Sequence, residues 1–141
     1  MDAARYLPLA GRLLIALMFA MSGLSKLADY SGTVGLISAS KLPLPAALAY
    51  AGAVAVEVAG SVMLIVGFQA RAAAAGLALY CVATAVFFHA DFANQDNIIH
   101  FMKNVAVTGG LLQIAAFGAG AFSIDNRRQA QELQHGATSR L

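Results

Sequence analysis

Charged residues are what this chain has least of. They make up 11% of its 141 residues, whereas 60% of the residues are hydrophobic. A soluble domain of this size carries roughly a quarter charged residues. The mean hydropathy of +0.71 agrees, because one domain of this length cannot hide so much apolar surface. The composition therefore excludes an ordinary soluble domain. The net charge of +2, with no basic patch, also excludes a nucleic-acid-binding protein.

Cysteine is nearly absent as well. The single Cys81 excludes an internal disulfide and is most simply a small apolar core residue. The sequence also lacks a flavin, nicotinamide or iron–sulfur motif. The electrons of any redox reaction would therefore have to come from a partner protein or from the substrate itself.

Long uncharged runs predict transmembrane helices. Residues 104–124 and 72–88 contain no charge, and a helix needs about 20 residues to cross the hydrocarbon core. Only a helix satisfies its own backbone polar groups within such a segment. We predict an all-α fold, in which one membrane domain over 1–141 is a four-helix transmembrane bundle. Its helices lie at about 7–27, 46–68, 71–90 and 100–122, before a polar, frayed C-terminal tail at 123–141.

The basic residues predict the orientation of the bundle. With both termini in the cytoplasm, six basic residues lie on the cytoplasmic side and three on the other side, as the positive-inside rule requires. The start of the first helix resembles a signal peptide, but Arg12 and Lys26 bracket its apolar run and three more spans follow, so we expect it to be retained. The first loop predicts a short amphipathic helix at about 34–40, capped by Asp29 or Ser31.

Glu57 is the only acid inside a predicted span. An ionised carboxylate near mid-membrane costs several kcal/mol, in the range of about 3 or more, so it must be protonated, paired or facing water. It is either half of an ion pair that holds helices together or a catalytic acid that accepts a proton. Lys103 is the candidate partner from the outer side, and Arg12 is the candidate from the inner side. The sequence leaves this choice open.

A polar stretch lies between the third and fourth spans. His100, Lys103 and Asn104 share one helical face, and His89 ends the preceding helix. We predict a pocket open to the outer leaflet side, with Glu57 and Lys103 as catalytic residues. The predicted substrate-binding residues are Lys26, His89, His100, Asn104 and Arg12. The spacing His89-x-Asp-x4-Asp-x3-His100 is a weak metal or haem pattern, and the simpler reading is that these groups cap helix ends. We therefore predict no metal site.

Several short motifs, none specific alone, match a known family in order over about residues 10–115. They are Gly11-Arg12-Leu13-Leu14, Ser22-Gly23-Leu24-Ser25-Lys26-Leu27, Gly32-Thr33, Leu42-Pro43-Leu44-Pro45, Glu57 with Gly60, His89, and His100-Phe101-Met102-Lys103-Asn104-Val105. As a set they resemble the DoxX family of small bacterial membrane proteins. One departure is Ala59-Gly60, where the family leads us to expect a glycine pair. The resemblance implies a four-helix, multi-pass protein of the bacterial inner membrane and an association with quinones and oxidative stress. The family's namesake resembles a membrane subunit of a thiosulfate:quinone oxidoreductase.

Three functions follow as hypotheses. The first is a quinone- or hydroquinone-handling redox accessory subunit of a membrane oxidoreductase, with quinone as the small-molecule partner and a redox protein as the protein partner. Glu57 would then exchange the proton that accompanies electron transfer. The second is a small proton-coupled transporter or permease, since an acid inside a span suits proton coupling. The third is a membrane scaffold for soluble redox enzymes. The substrate, the direction of electron flow and the oligomeric state do not follow from the sequence.

Overall fold

The computed structural model describes residues 3–138, and it describes side chains as far as residue 135. Within that part of the chain every regular element is a helix. The bounds are α1 Ala3–Ala28, α2 Tyr30–Ala39, α3 Ala46–Val66, α4 Ala70–Phe88, α5 Gln95–Phe117 and α6 Ile124–Thr138. Four of these, α1, α3, α4 and α5, are long and apolar enough to cross a membrane. The predicted all-α, four-span bundle is confirmed.

The four spans form a bundle in which α1 packs on α3, α3 on α4, and α4 on α5. We call the end with α2 and the α4–α5 loop the outer end, and the opposite end the inner end, after the predicted orientation. Small residues of α4 fill much of the core, among them Ala70, Ala74, Ala78 and Cys81. Such residues let helix backbones approach closely, which is how helices associate where no water drives them together.

Three of the helix boundaries differ clearly from the prediction. α5 begins at Gln95 instead of residue 100 because Asn94 caps it and accepts a 2.9 Å hydrogen bond from the Asp96 amide. The helix ends at Phe117 because Gly118 and Gly120 take positive φ angles of 87° and 81°, which glycine adopts most readily. α1 begins four residues earlier than predicted, which places Pro8 in its second turn.

The short helix of the first loop is present and is longer than predicted. α2 begins at Tyr30, and Asp29 caps it by accepting a 2.9 Å bond from the Gly32 amide. The turn between α3 and α4 is tight: Gly67 has φ 68° and Gln69 has φ 45°. In the predicted C-terminal tail, Ile124–Thr138 form α6, and residues 139–141 lie outside the described residues. The polar sequence of α6 is typical of a helix outside the hydrocarbon layer.

Candidate functional site: a carboxylate shared by three helices

Glu57 lies near the middle of α3 and its side chain is 3% exposed. Lys26 of α1 donates to both carboxylate oxygens at 2.9 Å. The Ser22 hydroxyl, one turn earlier on α1, donates to Oε1 at 3.0 Å, and the Tyr80 hydroxyl of α4 donates to the same oxygen at 2.9 Å. Lys26 also donates to Ser22 Oγ at 2.8 Å. The carboxylate thus accepts four hydrogen bonds from three residues, which suits its ionised form.

Two glycines allow these helices to come close enough. A Cβ on Gly23 would lie 2.9 Å from Val58 Cγ2 and 3.4 Å from Glu57 Cβ, so α1 meets α3 at a position where only hydrogen fits. A Cβ on Gly60 would lie 2.9 Å from two carbons of the Leu77 side chain, between α3 and α4. Gly23 lies between Ser22 and the turn that carries Lys26, and Gly60 lies one turn beyond Glu57. The short bonds to the carboxylate therefore depend on close helix packing.

The partner of Glu57 is neither of the two that the sequence offered. Lys103 lies on the exposed face of α5, and its Nζ is 3.2 Å from His100 Nδ1. Arg12 lies at the inner end of the bundle. Lys26 is the partner because the face of α1 with Ser22, Gly23 and Lys26 turns toward α3. Ser22 and Lys26, four residues apart on α1, thus form a polar stripe that meets Glu57.

Arg12 is 1% exposed and holds the inner end together. Its guanidinium donates to the carbonyls of Ala119 and Phe122, the latter at 2.8 Å, and reaches Ile65 O at 3.4 Å. These carbonyls belong to α3 and to the α5–α6 loop. Arg12 therefore joins three parts of the chain, and its predicted role in substrate binding would need it to leave these bonds.

A second polar cluster forms at the outer end. The rings of His89 and His100 stack with centroids 4.9 Å apart, and His89 Nδ1 lies 3.4 Å from the Asn97 Oδ1. Burial lowers the pKa of His89. The hydrogen bond with Asn97 raises this pKa, whereas electrostatic repulsion from His100 and Lys103 lowers it further. The structure places three of the predicted site residues, His89, His100 and Lys103, next to one another. It does not join them to Glu57 and Lys26, because α5 packs mainly on α4, whereas Glu57 and Lys26 meet between α1 and α3.

An apolar groove of about 200 Å³ runs between α4 and α5 on the lipid-facing side. It reaches from the outer ends of the two helices toward mid-membrane. Asn104 and Thr108 are the polar residues of its lining. The Asn104 amide donates to the His100 carbonyl at 3.0 Å and the Thr108 hydroxyl donates to the Asn104 carbonyl at 2.7 Å, so the surface of the groove is almost wholly apolar. The lining residues are Cys81, Val82, Ala85, Val86, Phe101, Asn104, Val105 and Thr108. Asn104 is the predicted substrate-binding residue that lines this groove.

In the described part of the chain, no three His, Cys, Asp or Glu side chains lie close enough together to bind a metal ion. His89 and His100 meet by stacking their rings, a geometry in which the faces and not the nitrogens oppose each other. The histidines therefore act as a pair of stacked rings beside a lysine.

Sequence reasoning missed Tyr80. Nothing in the pattern of α4 marks it, because an aromatic residue in an apolar span is usually core. A buried tyrosine hydroxyl normally has a hydrogen-bond partner. A search for groups that could donate hydrogen bonds to the buried carboxylate of Glu57 would therefore have pointed to Tyr80. Ser22 and Lys26 carried a visible signal in their spacing of four residues.

The family model described as DoxX matches residues 7–90. That segment covers α1 to α4 and holds the whole Glu57 network, Ser22, Lys26, Glu57 and Tyr80. The chain belongs to the DoxX family. The match ends before α5, so the groove's α5 wall lies outside the matched segment.

Two relatives extend this result. The inner membrane protein YqjF of Escherichia coli K12 is 34% identical over 120 residues, covering 83% of this chain and 88% of that protein. The inner membrane protein YphA of the same strain is 34% identical over 124 residues, covering 84% and 88%. No solved structure matches the chain significantly. With four membrane-spanning helices, this DoxX protein is a multi-pass protein of the inner membrane, as predicted.

Proposed function

We propose that this DoxX protein is a quinone- or hydroquinone-handling accessory subunit of a membrane redox system, and that the ring binds in the groove between α4 and α5. The groove carries the proposal. It is open to lipid, has apolar walls, and has two polar side chains, Asn104 and Thr108. Apolar walls with a few polar groups are the usual composition of a small-molecule site, and a quinone's isoprenoid tail would stay in the bilayer.

Depth supports the same ligand. Phe101 and Thr108 lie 6 and 13 residues after the start of α5, about 9 and 20 Å along the helix. A ring that enters from the hydrocarbon layer would meet Asn104 between those levels. Phe101, the lining residue nearest the start of α5, packs edge-on against Phe92, with ring centroids 5.1 Å apart.

Glu57 has a structural role in this proposal. Lys26 balances its charge, and all four of its hydrogen bonds come from the protein. α4 also separates it from the groove, because Tyr80 points to the carboxylate while Cys81 and Val82 line the groove. In this proposal Glu57 is therefore half of an ion pair that holds helices together, and it does not exchange the proton of the quinone. The electrons of a hydroquinone would pass to a partner redox protein.

A groove-filling substitution tests the proposal. Val82→Phe, at a lipid-exposed wall residue, should weaken binding of a short-chain quinone at least tenfold in a titration of the purified protein. Leu79→Phe places the same side chain on the same helix at a residue that is 73% exposed and outside the groove, and it should bind like the wild type. Equal binding by both variants, or none by the wild type, would remove the support for a quinone site.

The neighbours Lys103 and Asn104 give a second test. Asn104 lines the groove whereas Lys103 contacts His100 outside it. Asn104→Leu should weaken quinone binding, and Lys103→Met should leave it nearly unchanged. Loss of binding in Lys103→Met alone would instead support the site first predicted from the sequence.

Proton-coupled transport is the second candidate, and the Lys26–Glu57 pair favours it. Lys26 remains 23% exposed while Glu57 is 3% exposed, so one partner of a mid-membrane ion pair has access to the surroundings. Proton-driven substrate uptake in proteoliposomes, abolished by Glu57→Gln while the variant stays folded, would support this function over the first.

A further inference from the structure

A second concave surface lies at the inner end of the protein, away from the groove and the Glu57 network. A cavity of about 560 Å³ lies between the start of α4, the α5–α6 loop and the first two turns of α6. Its polar side chains come from both helices and include two arginines. They are Gln69, Arg71, Ser123, Asp125, Asn126, Arg128 and Gln129.

Both arginines are held at the rim. The Arg128 guanidinium lies over the Phe68 ring, 4.9 Å from its centroid, in a cation–π contact. Arg71 lies across the backbone of Gly118, where an added Cβ would come within 3.3 Å of its Nε. Positive φ at Gly118 and the missing side chain thus leave room for Arg71. The two cations come from different helices and face one cavity.

Asp125, the acid in the cavity, does not neutralise the two arginines. Both oxygens of Asp125 accept backbone hydrogen bonds, from Gln69 at 2.8 Å and Ala70 at 2.9 Å. Its charge also interacts with the buried guanidinium of Arg12, behind the cavity wall. With Arg12, Arg71 and Arg128 counted against Asp125, the cavity region is positively charged. An anion is the ligand that such a site favours.

We propose that this cavity binds the phosphate group of an anionic phospholipid from the leaflet at the inner end. Arginine forks match phosphate oxygens, and basic pockets beside transmembrane helices bind anionic headgroups. Phe117 and Ala121 line the same cavity and would contact the start of the acyl chains. α6 would thus be tied to the membrane surface by the lipid as well as by its own contacts.

The test compares lipids on the purified full-length protein by native mass spectrometry. Phosphatidylglycerol should bind more tightly than phosphatidylcholine with the same acyl chains. Arg71→Gln and Arg128→Gln should each weaken phosphatidylglycerol binding about fivefold, the effect of one cation near an anionic surface. Arg127→Gln removes the same charge from the neighbouring residue of α6, outside the cavity, and should change binding little.

Three results would overturn the proposal. They are equal binding of the two lipids, an effect of Arg127→Gln as large as that of Arg128→Gln, and displacement of phosphatidylglycerol by an equal concentration of inorganic phosphate. The last would assign the site to a soluble phosphate instead of a lipid. If Arg71→Gln does not fold, Arg71→Lys keeps the charge but loses the fork, and it should weaken binding less than Arg128→Gln.

Discussion

Lys26 donates to both carboxylate oxygens of Glu57 at 2.9 Å, so the base that neutralises the mid-membrane acid comes from the outer end of α1. Ser22 and Tyr80 complete the same network. Since α1, α3 and α4 each contribute a side chain, the network ties three of the four spans together. Ion pairs buried in this way are sensitive to the loss of one partner, because the other charge is left without compensation.

The two partners should respond differently to substitution. Lys26→Met strands the buried carboxylate and should lower the free energy of unfolding by about 3–5 kcal/mol. Glu57→Gln should cost less, because its amide stays neutral and Lys26, 23% exposed, can turn toward the outer surface. Unfolding in mixed detergent micelles would measure both variants.

Two controls sharpen this prediction. Lys103→Met removes a lysine that is exposed and paired only with His100 among the described residues, and it should cost under about 1 kcal/mol. The double variant Lys26→Met with Glu57→Gln should recover much of the loss, because it leaves no stranded charge. A larger loss in Glu57→Gln than in Lys26→Met would contradict the pairing.

The spans could be predicted from the sequence because membrane length and hydropathy depend on composition alone. The partner of Glu57 could not, because it depends on the rotation of α1 against α3. That rotation follows from the glycine contact at Gly23, which no run of apolar residues reveals. The separation of the outer polar cluster from Glu57 could not be predicted either. It depends on α5 packing on α4 instead of on α3, and the lengths and hydropathy of the spans do not specify which helices are neighbours.

Gly67 joins α3 to the inner end in a way that only glycine permits. Its φ is 68°, and an added Cβ would lie 2.5 Å from Ser123 Cβ and 2.9 Å from Arg12 Nη1. Gly67→Ala should therefore lower stability by more than the roughly 1–2 kcal/mol of a left-handed residue alone. Gly76→Ala is the matched control, since a Cβ there meets nothing within 4 Å. The thermal stability of Gly76→Ala in detergent should equal or exceed that of the wild type. Equal losses of stability in both variants would show that Gly67 does not pack closely against Ser123 and Arg12.

Orientation in the membrane stays a prediction that rests on charge. Six basic residues lie at the inner end or in the termini, and Lys26, Lys41 and Lys103 lie toward the outer end. The positive-inside rule then places both termini in the cytoplasm. Alkaline phosphatase fused at Leu141 should be inactive and a fluorescent protein there should be bright, while phosphatase inserted at Asn94 should be active. An active phosphatase at Leu141 would reverse the assignment of the two ends.

The outer histidine cluster should make the stability of the protein depend on pH. Burial lowers the pKa of His89 below its ordinary value of 6.5, and electrostatic repulsion from His100 and Lys103 lowers it further. A group whose pKa is lower in the folded state binds a proton less readily there than in the unfolded chain. Its contribution to stability is therefore fully present above pH 6.5 and is lost as the pH falls through the folded pKa. Melting temperatures of the wild type should decline over that window, whereas His89→Gln, which cannot be protonated there, should show a smaller decline. A decline of the same size in His89→Gln would assign the pH dependence to other groups. Lys103→Met removes a nearby positive charge and should raise the pKa of His89. The pH range over which the melting temperature declines should therefore be narrower in Lys103→Met than in the wild type.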